Sequence, residues 1–163
     1  MNPPDAAAIH LLLTQLRQNV VSLILATQAS DGAAAELSYA PFVWHDGAYF
    51  VLLSDLAAHS RHLRAYPQAQ MLLIEDEASA RNVFARQRLS QQVSVERIDR
   101  ADPLWATVTD WLQARAGATV AVLTQLADFH LYRLTPHTGR LIVGFGQAYA
   151  IEGDAVADAT PVR

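Results

Sequence analysis

Four basic or imidazole side chains crowd into two turns in the middle of the sequence: His59, Arg61, His62 and Arg64. Ser54 and Asp55 precede them, and both residue types favour the N-terminus of a helix. Pro67 predicts the end of that helix. The free amides and the dipole of a helix N-terminus favour anions, and arginine forks suit phosphates and carboxylates. The segment therefore predicts a site for an acidic ligand.

Structural explanations stay open for each of these side chains. His59 falls on the leucine side of the helix, so it is either a core histidine or a ligand contact. Arg61 and Arg64 either bind a phosphate or a carboxylate or form a solvated face. His59 and His62 have the i, i+3 spacing of a metal pair, but no third ligand type lies nearby in the sequence. No metal site is predicted.

A second group of candidates lies further along the chain. Arg86 and Arg88 are alternate residues at the start of a predicted strand and project to the same side. They either face a ligand or pair with the acidic run 75–77. Asp128 precedes another strand and is either a turn or cap residue or a ligand contact. His130 is expected to be a surface or turn residue.

Composition excludes several classes of function. The net charge of −4 and the pI near 5.8 argue against general affinity for nucleic acid or acidic membranes. The absence of Cys excludes disulfides, thiolate nucleophiles and Cys-ligated metals. All 12 basic residues are Arg, which excludes a lysine Schiff base. We find no signal peptide and no apolar segment long enough to cross a bilayer, so a cytoplasmic protein is expected.

The elements that must position these residues follow from hydrophobic periodicity and turn residues. Helices are predicted from Pro3 to about Gln18, after Ser54-Asp55, from Asp102 to about Ala116, and over Thr119–Leu126. Strands are predicted over Val20–Thr27, Leu37–Trp44, Ala48–Leu53, Met71–Ile74, Leu89–Ile98, Phe129–Leu134, Arg140–Val143 and Gly146–Ile151. Turns are predicted at Ser30-Asp31-Gly32, Asp46-Gly47 and Thr135–Gly139, and a loop over Glu75–Arg88.

Short connections between strands favour a mainly β fold with flanking helices, in which six or seven antiparallel strands close into a barrel. Pro41 suggests that its strand is an edge or bulged strand. We expect one domain over 1–151 and a loosely ordered tail over 152–163. A small barrel fills its centre with side chains, so a ligand would bind at the rim or at a subunit interface.

Four segments in this order resemble a known family: SYAPFV (Ser38–Val43), LSDLAAHSRHLRAYPQA (Leu53–Ala69), LLIEDEASARNVFARQRLS (Leu72–Ser90) and DFHLYRLTPHTGRLIVGFGQAYAI (Asp128–Ile151). The family is that of the FMN-binding split barrels typified by pyridoxamine 5'-phosphate oxidase, and within it the heme-utilisation branch. The resemblance implies a homodimer with two equivalent cofactor sites at the subunit interface.

The resemblance also implies roles for individual residues. It places Ser54, His59, Arg61 and Arg64 near the cofactor from the central helix, and Arg86 and Arg88 would face the cofactor from the following loop. Asp128 would hydrogen-bond the iron-ligating His of the neighbouring subunit in the heme-binding relatives. Those relatives supply that His from a C-terminal tail, whereas the present sequence has no His after His137.

Three functions are therefore expected from the sequence. The first is FMN binding in a flavin-dependent oxidoreductase, with Ser54 and arginines at the phosphate. The second is heme binding or heme degradation, with His59, His62 or His130 recruited to the iron. The third is a homodimer without a cofactor.

Overall fold

Alternating apolar residues in the strands build one antiparallel sheet, described here from a computed structural model over residues 5–29 and 34–161. The helices are α1 (Ala6–Asn19), α2 (Ala58–Ala65), α3 (Pro103–Ala116) and α4 (Thr119–Leu123), with a 3₁₀ turn at Val83–Ala85. The strands are β1 (Ser22–Thr27), β2 (Glu36–His45), β3 (Ala48–Ser54), β4 (Gln68–Ile74), β5 (Arg88–Ile98), β6 (Phe129–Gly144), β7 (Gln147–Glu152) and β8 (Ala155–Asp158).

Pairing between β3 and β6 closes the sheet into a six-stranded barrel. The strand order is β3-β2-β1-β4-β5-β6, and β7 and β8 continue the sheet beyond β6. All of these pairs are antiparallel. The predicted fold class, a mainly β split barrel with flanking helices, is confirmed. In the described part of the chain, no helix is long and apolar enough to span a membrane.

Two apolar clusters hold this sheet. Inside the barrel, strand residues such as Leu25 and Leu73 pack with Ile9 and Leu13 of α1, so α1 covers the barrel interior. Outside, α3 buries Val108 and neighbouring side chains against β3 and β6. Asp102 caps α3 through the N–H of Leu104, as the Asp-Pro sequence predicts.

Pro41 lies where β2 changes its partner. Residues 36–41 pair with β1, whereas residues 42–45 pair with β3. Pairing with β3 begins at the residue after Pro41. Proline has no N–H, but at this position no hydrogen bond to β3 is lost. The Asp46-Gly47 hairpin is confirmed, with φ angles of 46° and 73°. The predicted turn at Ser30-Asp31-Gly32 lies outside the described residues.

The predicted turn at Thr135–Gly139 is wrong, because β6 runs without interruption from Phe129 to Gly144. Opposite β5, Val93 pairs with Pro136 and Gln91 pairs with Gly139, so β6 carries one extra residue as a bulge. A bulge accommodates the proline and glycine that suggested a turn.

Two further expectations differ from the structure. Ser54 and Asp55 do not cap α2, which begins at Ala58 with Ala57 as its N-cap residue and no side-chain capping bond. Ser54 instead ends β3. The tail is not loosely ordered throughout, because Ala155–Asp158 pairs with β7 as β8.

We expect Gly139→Ala to destabilise the barrel by about 2 to 3 kcal/mol in urea unfolding. A Cβ at this position would lie 2.3 Å from Cγ of Gln91 and 2.4 Å from the carbonyl oxygen of Ser90, so backbone would have to move. Gly144→Ala is the matched control in the same strand, since its Cβ meets only the Gln147 side chain, at 3.0 Å or more. The control should stay within about 1 kcal/mol of the wild type, and equal losses in both variants would contradict the prediction.

Candidate functional site

Closure of the barrel joins the end of β3 to the start of β6. Ser54 pairs with Phe129, which places Asp128 beside Ser54 and Asp55. The Ser54 hydroxyl donates to the Asp128 carboxylate at 2.6 Å, and the Asp55 N–H donates to the Asp128 carbonyl at 2.7 Å. Ser54 Oγ also accepts the N–H of Leu56 at 3.2 Å. The junction between β3 and α2 is therefore fixed by two aspartates and a serine.

Asp55 links this junction to helix α2 and to strand β6. One carboxylate oxygen accepts from Arg64 at 2.7 Å, and the other lies 2.8 Å from Nε2 of His130. The His130 side chain is buried, and Arg64 is half-exposed. The surface or turn position predicted for His130, one of three candidate iron ligands from the sequence, is wrong, because its side chain is buried. Only the pairing of Leu53 with His130 brings that imidazole next to Asp55.

The two histidines of α2 have different environments. Nδ1 of His62 lies 3.2 Å from the Thr27 hydroxyl of β1. His59 is partly buried, and its Nε2 is shielded from solvent without a hydrogen-bond partner among the described residues. Burial lowers the pKa of His59 below its ordinary value, and His62 lowers it further, although Glu36 acts in the opposite direction. Burial therefore disfavours the protonated form of His59.

The two arginines of α2 also differ. Arg61 is exposed, whereas Arg64 is engaged by Asp55. Contacts at this junction join Ser54 to Asp128 and Asp55 to Arg64. His59 and Arg61 lie on the same helix as Arg64. We call these six residues the β3–α2 site.

Arg86 pairs with the acidic run 75–77, as one of its two predicted roles requires, whereas Arg88 forms no ion pair among the described residues. Arg86 pairs with Glu77 at 2.8 Å, and its Nε donates to the Glu75 carbonyl at 2.7 Å. Arg88 donates to the Arg86 carbonyl at 3.1 Å. Arg86 lines a cavity between the end of α1 and the loop after β4. Among the described residues, no hydrogen bond or ion pair connects either arginine to the β3–α2 site.

The closed antiparallel barrel with flanking helices places the chain in the split-barrel fold class. The family model described as pyridoxamine 5'-phosphate oxidase matches residues 13–143, so the chain belongs to that family. The resemblance stated from the four segments is confirmed.

Three comparisons place the chain among particular relatives. It is 40% identical to a Vibrio cholerae protein named heme oxygenase HutZ, over 90% of this chain and 82% of that protein. A crystal structure of HutZ from Vibrio cholerae, described as a heme storage protein, has a TM-score of 0.74 and 39% identity, covering 82% of this chain and 92% of that one. Campylobacter jejuni ChuZ has a TM-score of 0.86 and 26% identity, covering 98% of this chain and 67% of that one.

We expect His59→Gln to reduce the dependence of stability on pH below neutrality. Because burial lowers the pKa of His59 in the folded state, the unfolded chain takes up a proton at higher pH than the folded chain as the pH falls through the ordinary value of 6.5. The free energy of unfolding of the wild type should therefore decrease in this range. Urea unfolding at about pH 7.5 and about pH 5.5 should show a smaller decrease for the variant.

The exposed His10 supplies the control, since His10→Gln should keep the pH dependence of the wild type. An unchanged pH dependence in His59→Gln would show that this imidazole titrates alike in both states.

Proposed function

We propose that this chain binds heme at the β3–α2 site and acts in heme utilisation. Its 40% identity over 90% of the chain to a protein named heme oxygenase HutZ carries this proposal. The similarity to ChuZ supports the same branch of the family. Of the expectations from the sequence, the comparisons favour heme, which was the alternative, over FMN.

The donor groups of the β3–α2 site suit the two carboxylates of heme. Arg61 is exposed, and half of the Arg64 side chain is accessible although it contacts Asp55. Both guanidinium groups lie on the short helix α2, so they can bind separate carboxylates with charge-assisted hydrogen bonds. Leu56, 81% exposed at the start of this segment, offers apolar surface for a porphyrin.

Asp128 retains hydrogen-bonding capacity for a ligand imidazole. Its carboxylate accepts one side-chain hydrogen bond, from Ser54, among the described residues. A carboxylate has about four acceptor positions. It can therefore also accept the N–H of an iron-ligating His, which is the role that the family resemblance gives it. Such a hydrogen bond fixes the tautomer and raises the basicity of the ligand.

Within the chain, His62 is the imidazole best prepared to bind iron. Its Nδ1 is next to Thr27, which leaves Nε2 for a metal. Nε2 of His130 is already held by Asp55, and Nε2 of His59 is shielded. Holding one ring nitrogen while the other binds a metal is the usual arrangement of a histidine ligand.

The same contacts disfavour an FMN phosphate at this junction. The Ser54 hydroxyl gives its single hydrogen to Asp128, so it has none for a phosphate. The carboxylates of Asp55 and Asp128 would repel a phosphate dianion. Arg64 already compensates one of them.

We propose that two copies of the chain complete the site, as the family resemblance implies. On one chain the β3–α2 site is a partly exposed surface, whereas cofactor sites bury most of the ligand. The exposed side chains of Leu37 and Tyr39 on β2 and of Leu56 would then be buried by the partner. When bound and reduced, heme iron supplies oxygen-activating chemistry. Arg61 and Arg64 of this chain would bind the heme carboxylates, and Asp128 would orient the imidazole that binds the iron.

We expect the purified protein to bind hemin with a sharp, shifted Soret band and to have weak affinity for FMN. The double variant Arg61→Ala with Arg64→Ala should lower hemin affinity about 10- to 100-fold, because both carboxylate partners are lost. His62→Ala should shift the Soret maximum, because the iron ligand changes. Titrations followed by absorbance measure both effects.

His10→Ala, on α1, is the matched control and should leave the Soret band unchanged. Tight FMN binding with hemin affinity unaffected by the double arginine variant would contradict the proposal. Adding ascorbate and oxygen to the loaded protein separates degradation, in which the Soret band is lost, from storage, in which it persists.

A further inference from the structure

A cavity of about 660 Å³ lies between α1, β2 and α3, away from the β3–α2 site. Two tryptophans and two arginines line it, together with Asp154 of the turn before β8: Trp44, Trp111, Arg17, Arg115 and Asp154. Its volume falls within the range of small-molecule sites. We infer that this cavity is a second binding site, which takes a planar aromatic carboxylate.

The aromatic side chains provide flat apolar surface. Trp111 is 38% exposed, and one side of its ring system packs against His45 at a centroid distance of 4.5 Å. Trp44 of the neighbouring strand β2 is partly buried, and its ring already packs against Tyr49 at a centroid distance of 4.5 Å, so Trp111 offers the accessible stacking surface. A partly exposed tryptophan beside a cavity favours an aromatic ring, because offset stacking adds to the burial of apolar area.

Arg17 carries the charge at the base of this cavity. It is buried, with only 5% of its surface exposed, and its guanidinium lies 3.6 Å from the centroid of the Trp44 ring. Nε donates to the Tyr49 hydroxyl at 2.8 Å, and Nη1 pairs with Asp154. Nη2 has no hydrogen-bond partner among the described residues.

Arg115 repeats this pattern on the opposite wall. Its Nη2 donates to the carbonyls of Arg17 at 2.7 Å and Val20 at 2.6 Å, at the end of α1. Its Nε is buried without an acceptor among the described residues. Both of these N–H groups are shielded from solvent, so the two arginines act on a ligand in the cavity through their positive charge. Two guanidinium groups facing one protein carboxylate leave an excess positive charge for a monoanion.

The Asp154 carboxylate would compete with a ligand carboxylate for the Arg17 guanidinium. Its side chain is 45% exposed, so it occupies Arg17 from the rim of the cavity rather than from the core. Its position shows that a carboxylate can reach the Arg17 guanidinium there. Removing its charge would free Nη1 of Arg17 and relieve repulsion of an anion. This provides a variant that gains affinity, which a folding defect cannot imitate.

The test uses 2-naphthoate as the probe and its neutral analogue 2-naphthalenemethanol as the ligand control, both by isothermal titration calorimetry on the full chain. We expect saturable binding of one naphthoate per chain, with the alcohol at least about tenfold weaker because it lacks the charge. Asp154→Asn should tighten naphthoate binding severalfold. Trp111→Ala should weaken it about tenfold, because one stacking wall is lost.

Arg97→Gln removes an exposed arginine of β5 that does not line the cavity, and it should leave naphthoate affinity unchanged. Absence of saturable binding, equal affinity for the alcohol, or an unchanged affinity in Asp154→Asn would each overturn the inference. Hemin binding at the β3–α2 site should be the same in all three variants, so the two sites are tested separately.

Discussion

The pairing of β3 with β6 is the contact on which the rest of the molecule depends. It closes the barrel, and its register opposes Ser54 to Phe129 and Leu53 to His130. A shift by one residue would turn each strand's side chains to the opposite face. The closure therefore creates the hydrogen bond from Ser54 to Asp128 and the contact of His130 with Asp55. The fold and the β3–α2 site are specified by the same ladder.

Hydrogen bonds between buried polar groups connect different helices, strands and turns inside the barrel. Arg17 of α1 donates to the Tyr49 hydroxyl of β3, and Gln91 of β5 donates to the carbonyls of His137 and Gly153. Burial raises the pKa of Tyr49 to about 12, although the neighbouring Arg17 acts to lower it. Hydrogen bonds of this kind are strong in a low-dielectric interior and help to fix the arrangement of the elements around them.

The balance of charge separates the two candidate binding regions. At the β3–α2 site, Asp55 and Asp128 offset Arg64, and Arg61 remains exposed. This arrangement suits a ligand with dispersed carboxylates better than a compact phosphate. In the cavity between α1 and α3, two guanidinium groups face one carboxylate. The two regions share no residue, so each can bind its ligand without displacing the other.

The sequence by itself determined the fold class, the Asp46-Gly47 hairpin, the capped helix α3 and the concentration of candidate site residues on α2. These depend on local periodicity and on residues such as Gly and Pro, whose conformations are restricted by their own covalent structure. It also carried the family resemblance, because the four segments keep their order and spacing.

Only the tertiary structure decided the partners of those residues. Thr135–Gly139 becomes part of β6 through a bulge opposite Gln91 of β5. Strand β8 forms because β7 is present to pair with it. His130 becomes buried through a contact with Asp55, which is far away in the sequence, and Arg86 pairs with Glu77. Contacts of this range arise from strand register and packing, which local sequence patterns do not encode.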